Sequence, residues 1–244
     1  MAQGRTGALL WVLRRTAAVA RREGVRGTVQ RIVKHARLAL GIPAADVRAY
    51  KAAKAAADRA YDRQLGVDTG GTQNLGGLTI QSPNAALGVA HIATVPAHFH
   101  RAMSLLDIAP DGITFIDLGS GKGRALLMAA DYSFGAISGV EFAEELHAIC
   151  RANITRFGDP RVTCTLGDAE VYAYPSGDLV VYMNNPFDAA LMKRIACRLS
   201  DLQQEALRAI RVVYANPTAP QAFAQAPWFT VATAPGVAVF GLAA

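Results

Sequence analysis

From residue 113 onward, short apolar runs alternate with stretches in which apolar residues return every three or four positions. The runs predict strands at 113–118, 136–142, 162–166, 179–183 and 211–215. The stretches between them predict helices at about 122–131, 143–157, 188–199 and 201–209. Such alternation implies a parallel sheet with helices on both faces. The last segment breaks the rhythm. Residues 228–234 and 237–242 both read as strands, and only Pro235-Gly236 separates them, so a hairpin should end the sheet with an antiparallel strand.

The first 65 residues carry another pattern. Helices are predicted at about 7–22, 25–40 and 44–65, the second ended by Gly41 and Pro43 and the third by Gly66. In the second, Val25, Val29, Ile32, Val33 and Leu38 fall near one face, with Arg26, Arg31, Lys34 and Arg37 around the rest, which is amphipathic spacing. Residues 66–95 hold Gly-Gly pairs, Asn, Ser-Pro and few charges, so they read as loop with short extended pieces, either a linker or a lid over a site. Pro96 opens a helix expected to reach 106. The expected organisation is a basic helical extension at 1–65, a linker or active-site lid at 66–95, and an α/β domain at 96–244. That domain should be doubly wound, with a mostly parallel seven-stranded sheet and an antiparallel last strand.

Charge sharpens this division. Residues 1–63 hold 14 Lys/Arg against 4 Asp/Glu, and the remainder holds 11 against 15. A basic arm on a mildly acidic body suits an anionic partner, and its apolar face suits packing on a partner or a second copy of the chain. An apolar content of 52% supports a packed core. No run approaches the ~20 apolar residues that a bilayer span needs, so no transmembrane segment is expected. Cys150, Cys164 and Cys197 lack CxxC spacing and read as reduced core thiols of a cytoplasmic protein.

Chemistry concentrates where the first strand of the alternating region ends, in FIDLGSGKGR from Phe115 to Arg124. A Walker loop needs G-x-x-x-x-G-K-[ST], but Gly121-Lys122 is followed by Gly123. A dinucleotide fingerprint needs a third glycine at 124, which is Arg. What remains is Asp117, Gly119, Gly121 and Gly123 in D-x-G-x-G-x-G. The glycines permit a sharp turn and close approach of backbone to a ligand, and the helix N-terminus that follows suits a carboxylate. Asp117 would repel a pyrophosphate and suits an ammonium or sulfonium group instead. The next strand ends with Glu141, about twenty residues on, where an acid can accept both ribose hydroxyls. The third ends LGDAE and places Asp168 where it can meet an adenine amino group. The fourth ends YMNNPF. Polar groups at successive strand ends are what the switch-point rule for open α/β sheets asks of a ligand site.

In these motifs the chain resembles class I S-adenosylmethionine-dependent methyltransferases over about residues 96–244, with DLGSGKG, GVE, GDA and NNPF in that order. The resemblance implies a Rossmann-like fold and S-adenosyl-L-methionine as cofactor, with S-adenosyl-L-homocysteine as product. It assigns Asp117, Gly119, Ser120, Gly121 and Gly123 to the cofactor loop, Glu141 and Phe142 to the ribose side, and Asp168 and Ala169 to the adenine side. Asn184 is included among the cofactor contacts. Within the class, DLGSG, GVE and the NN-F run are similar to the non-SET lysine methyltransferases, the disruptor of telomeric silencing type. The same segment is similar to N-methyltransferases carrying N-P-P-[FY]. The chain departs from the first group at Pro186, and from the second in having Asn185 for the first proline. Both imply an amine acceptor, on a protein or a small molecule, and neither names it.

Methyl transfer from a sulfonium asks the protein to position a nucleophile and exclude water. Asn184 is expected to accept an N–H of the amine, the Asn185-Pro186 turn to offer a backbone carbonyl, and Phe187 to stack on a planar acceptor or flank a developing cation. Asn-Asn-Pro equally suits a strand-ending turn. O-methyl transfer would want a base or a metal. His91, His98 and His100 show no metal-ligand spacing, so no metal is expected, and each is a candidate base or a structural residue. RNA methylation suits the basic arm, against few aromatics (7%) and no RNA-binding motif. A non-catalytic cofactor- or nucleic-acid-binding module is the remaining alternative. Tyr61 and Asp68 would close the site if 66–95 folds over it, and Lys122 and Arg124 would face solvent or a substrate carboxylate.

Overall fold

The computed structural model describes residues 45–206, 208–225 and 227–242. The helices expected at 7–22 and 25–40 lie outside them. The chain divides into two compact units, 1–56 and 57–244. Of the first, the described part is the start of helix α1 (Ala45–Leu65), where Val47 and Tyr50 are exposed. The second unit begins inside α1 and carries all the elements that follow.

Its sheet has seven strands: β3 (Thr114–Leu118), β4 (Ala136–Glu141), β5 (Val162–Leu166), β6 (Leu179–Asn184), β7 (Ile210–Ala215), β8 (Trp228–Ala234) and β9 (Val237–Leu242). Their order is β5-β4-β3-β6-β7-β9-β8. The first five pair in parallel, whereas β9 runs antiparallel to both β7 and β8. This is the doubly wound, Rossmann-like arrangement, and the reversed strand is the second arm of the hairpin turning at Pro235-Gly236. The central strands are apolar throughout because both sheet faces are covered. Alternate residues enter opposite cores: Phe115, Val180 and Tyr182 join one, and Ile116, Leu118, Val181 and Met183 the other.

Helices α2 (Pro96–Met103), α3 (Arg124–Ala129), α4 (Glu144–Phe157) and α5 (Ala189–Ala206) flank the sheet. Three differ from the pattern. The two helices expected at 188–199 and 201–209 are one, because Leu199, Ser200 and Gln203 continue the buried stripe through the expected break. The helix expected at 122–131 starts only at Arg124, since the chain is still turning at Gly123, whose N–H bonds the Ser120 carbonyl. Helix α2 stops at Met103, short of 106. Cys197 is exposed, not a core thiol, while Cys150 is buried. Among the described residues, no helix is long and apolar enough to cross a membrane.

Residues 66–95 contain two short strands, β1 (Thr72–Gln73) and β2 (His91–Ile92), paired antiparallel, and a 3-10 turn at Ala85–Leu87. The segment lies along the C-terminal ends of the parallel strands. Thr79 bonds both carboxylate oxygens of Glu145 at the start of α4, and the Val89 N–H bonds the Pro186 carbonyl beyond β6. It is called the strap below.

Candidate active site

The chain moves from β3 to β4 on one side and later to β6 on the other, so β3 and β6 border the switch point where open α/β sheets take ligands. At that end β3 delivers Asp117, 3% exposed, and then the glycine turn. Gly119 and Gly121 have φ of +80° and +55°. A Cβ at Gly119 would stand 2.5 Å from Pro186 Cβ, and one at Gly121 would stand 2.2 Å from the His91 ring, so both positions demand glycine on two counts.

Glu141 closes the turn from β4. Its Oε2 accepts the Gly121 N–H at 2.7 Å and its Oε1 accepts the Ala143 N–H at 2.9 Å. Burial pushes its carboxyl up, against the pull of these amides. Burial, with Glu141 adding to it, pushes the Asp117 carboxyl well above the carboxylate range. Two acids thus share one poorly solvated place, where Glu141 adds to the burial that disfavours ionisation of Asp117.

A cavity opens there. Asp117, Gly119, Ser120, Glu141, Phe142, Asn184, Pro186 and Phe187 line it, together with Arg124, Thr94 and, from the strap, Val89 and His91. Most of the residues expected to form the site therefore meet in it. Asp168 and Ala169 do not line it. Asp168 Oδ2 accepts from the Ser82 hydroxyl and, at 2.8 Å, from Asn84 Nδ2, so the strap occupies this acid, and Ala169 is buried in the core. Asn185 does not line it either: its Oδ1 accepts from Tyr214 and Thr218 hydroxyls.

The β6 end is held from two sides. Asn184 Nδ2 donates to Thr94 Oγ1 at 3.0 Å and to the Ile92 carbonyl at 3.2 Å, and its Oδ1 accepts from Asn216 at 2.8 Å. Both amide hydrogens are spent on the strap end, and Oδ1 keeps one lone pair. In the Asn185-Pro186 turn, expected to offer a backbone carbonyl to the acceptor, the Pro186 carbonyl receives the Val89 N–H. Phe187 lines the cavity but is only 4% exposed and packs in the core.

Of the histidines, His91 lies at the cavity. His98 is exposed, and His100 bonds Tyr132 on the surface. Lys122 pairs with Asp68 at 2.8 Å. Arg124, expected to face solvent or a substrate, is 2% exposed. It meets Asp58 and Asp62 of α1, Thr69 Oγ1 and the Thr94 carbonyl, and its guanidinium stands 4.7 Å from the Tyr61 ring centroid. Sequence reading gave Arg124 a different role and missed Thr94 and Asn216. For Arg124 the available signal was the pair Asp58 and Asp62, one helical turn apart on a helix rich in Lys and Arg.

No family model matches the sequence, and no curated protein matches it. Solved structures do. One is an RNA methyltransferase from Salinibacter ruber in complex with S-adenosyl-L-homocysteine, 20% identical over 62% of this chain and 92% of that one, with a TM-score of 0.45. A dimethyladenosine transferase from Plasmodium falciparum is 11% identical over 62% of each chain, with a TM-score of 0.47. A SAM-dependent methyltransferase from Geobacter sulfurreducens, in complex with S-adenosyl-L-homocysteine, is 21% identical over 49% of this chain and 48% of that one, with a TM-score of 0.39.

Proposed function

We propose that this chain is an S-adenosyl-L-methionine-dependent methyltransferase that delivers the methyl group to an amine nitrogen of a protein or small molecule. The observation that carries the reading is the pair Asp117 and Glu141, buried together beside a glycine turn at the switch point. Phosphate binding would want the opposite charge there. A cationic donor suits it, and Glu141 has the spare lone pairs that a ribose diol would use.

When bound, the donor supplies a methyl group already activated on sulfonium sulfur. The residues then have three tasks. Gly119 and Gly121 let backbone approach the donor, which requires the His91 ring to leave Gly121. Asp117 and Glu141 line the cavity with two carboxyl groups that burial holds towards their protonated forms, and a bound cation would favour their ionised forms. The charge of Arg124 does not cancel this, because it faces Asp58 and Asp62. An amine acceptor suits that lining better than an anionic one. The strap acts as the lid: it excludes water, and Asn184 fastens its end beside the acceptor.

The test is methyl transfer from isotopically labelled donor to a panel of amines, lysine peptides, hydroxylated metabolites and RNA. Label in an amine or lysine peptide supports the reading. Label only in RNA overturns the choice of a protein or small-molecule acceptor, label only in a hydroxyl compound overturns the choice of nitrogen, and label in nothing, with no donor bound, overturns the reading.

A further inference from the structure

Arg124 is a buried cation with more partners than its own helix needs. It opens the six-residue α3 directly after the glycine turn, and it lines the cavity. Its donors point away from α3. Nε donates to Thr69 Oγ1 at 2.7 Å, Nη1 to Asp58 Oδ1 and the Thr94 carbonyl, and Nη2 to Asp62 Oδ1 at 3.1 Å. Thr69 Oγ1 in turn donates to Asp62, and the Gly70 N–H reaches the same carboxylate at 2.9 Å. Tyr61 packs against the guanidinium, and burial pushes its hydroxyl up to about 12.

One side chain therefore joins four pieces of chain: helix α1, the start of the strap at Thr69, its end at Thr94, and the glycine turn. Asn184 meets the same end of the strap at Ile92 and Thr94. Resting on the proposed methyl-donor reading, we infer that Arg124 is a positioning residue: it fixes the strap over the donor cavity from α1, so residues 58–94 are a working part of the donor site. A planar fork is needed to reach Asp58, Asp62, Thr69 and Thr94 from one place, and a lysine ammonium, which keeps the charge, has no such fork.

The test uses the full chain and two variants, Arg124→Lys and the milder Thr69→Val. Three quantities are measured for each: the urea midpoint, amide hydrogen exchange along residues 66–94, and the dissociation constant for S-adenosyl-L-methionine. A variant that keeps the wild-type midpoint is expected to show faster exchange across the strap and donor binding weaker by on the order of tenfold. If Arg124→Lys fails to fold, Thr69→Val decides, with a smaller change in the same direction. Unchanged strap exchange overturns the inference. Faster exchange with unchanged donor affinity also overturns it, since Arg124 would then be only structural. If the wild-type chain binds no donor, the methyltransferase reading fails, and strap exchange alone judges the joint.

Discussion

The Gly121 amide donates to Glu141 Oε2 across 2.7 Å, tying the tip of β4 to the turn that follows β3. One carboxylate thus shapes the glycine turn and borders the cavity. Glu141→Ala would leave the Gly121 and Ala143 amides without their partner. An unsatisfied buried group costs about 1–3 kcal/mol, so the variant should lose at least that much stability in urea denaturation. Wild-type stability would mean that water replaces the carboxylate, and that the turn does not depend on it.

Gly121→Ala combines positive φ with a collision against His91. The backbone term alone exceeds about 1 kcal/mol. Gly112 has φ +73° but nothing within 4 Å of the added methyl. Gly112→Ala is therefore the control: it should cost stability through the backbone alone and bind the methyl donor normally. Gly121→Ala should cost more and bind it at least about tenfold more weakly, as read by calorimetry. Equal losses of affinity in the two variants would separate the turn from the site.

Asp117→Asn should stabilise the protein at neutral and alkaline pH. Burial, then Glu141, raises the folded carboxyl well above its unfolded value. The native state then holds a proton that the unfolded chain has released. Stability is greatest below the unfolded pKa and falls as pH rises through the folded one, by up to about 1.4 kcal/mol per pH unit for one group. Asn has no such proton to lose. Urea midpoints at acidic, neutral and alkaline pH should separate the two proteins progressively, with the variant ahead at alkaline pH and its donor affinity reduced. A variant less stable than wild type at alkaline pH contradicts the assignment.

Asn184→Ala deletes two donors to the strap end and one acceptor from Asn216. Each bond contributes about 0.5–1.5 kcal/mol net. Steady-state kcat/KM with an amine acceptor should fall by on the order of tenfold or more. Unimpaired turnover would remove Asn184 from the acceptor side and leave it a strand-ending turn.

The sheet was legible because its order follows from apolar runs and helical periods, which local residues encode. Leu179–Met183 is buried on both faces and reads so. The glycine turn, Asp117 and Glu141 were legible because each sits at a strand end. The strap was not, because polar contacts without period hold it: Ser82 and Asn84 on Asp168, Thr79 on Glu145, Val89 on Pro186. Arg124 was misread for a related reason. A lone Arg at a helix start reads as solvated, and the carboxylates that bury it stand 66 and 62 residues away in sequence. Asp168 keeps its place at a strand end, but the partner it shows is the strap.

The most direct test of the account is calorimetric titration of the full chain with S-adenosyl-L-methionine and, separately, NAD, repeated on Glu141→Ala. The account predicts binding of the methyl donor alone, with a dissociation constant on the order of micromolar, lost in the variant. Binding of NAD in its place, or donor binding indifferent to Glu141, would contradict it.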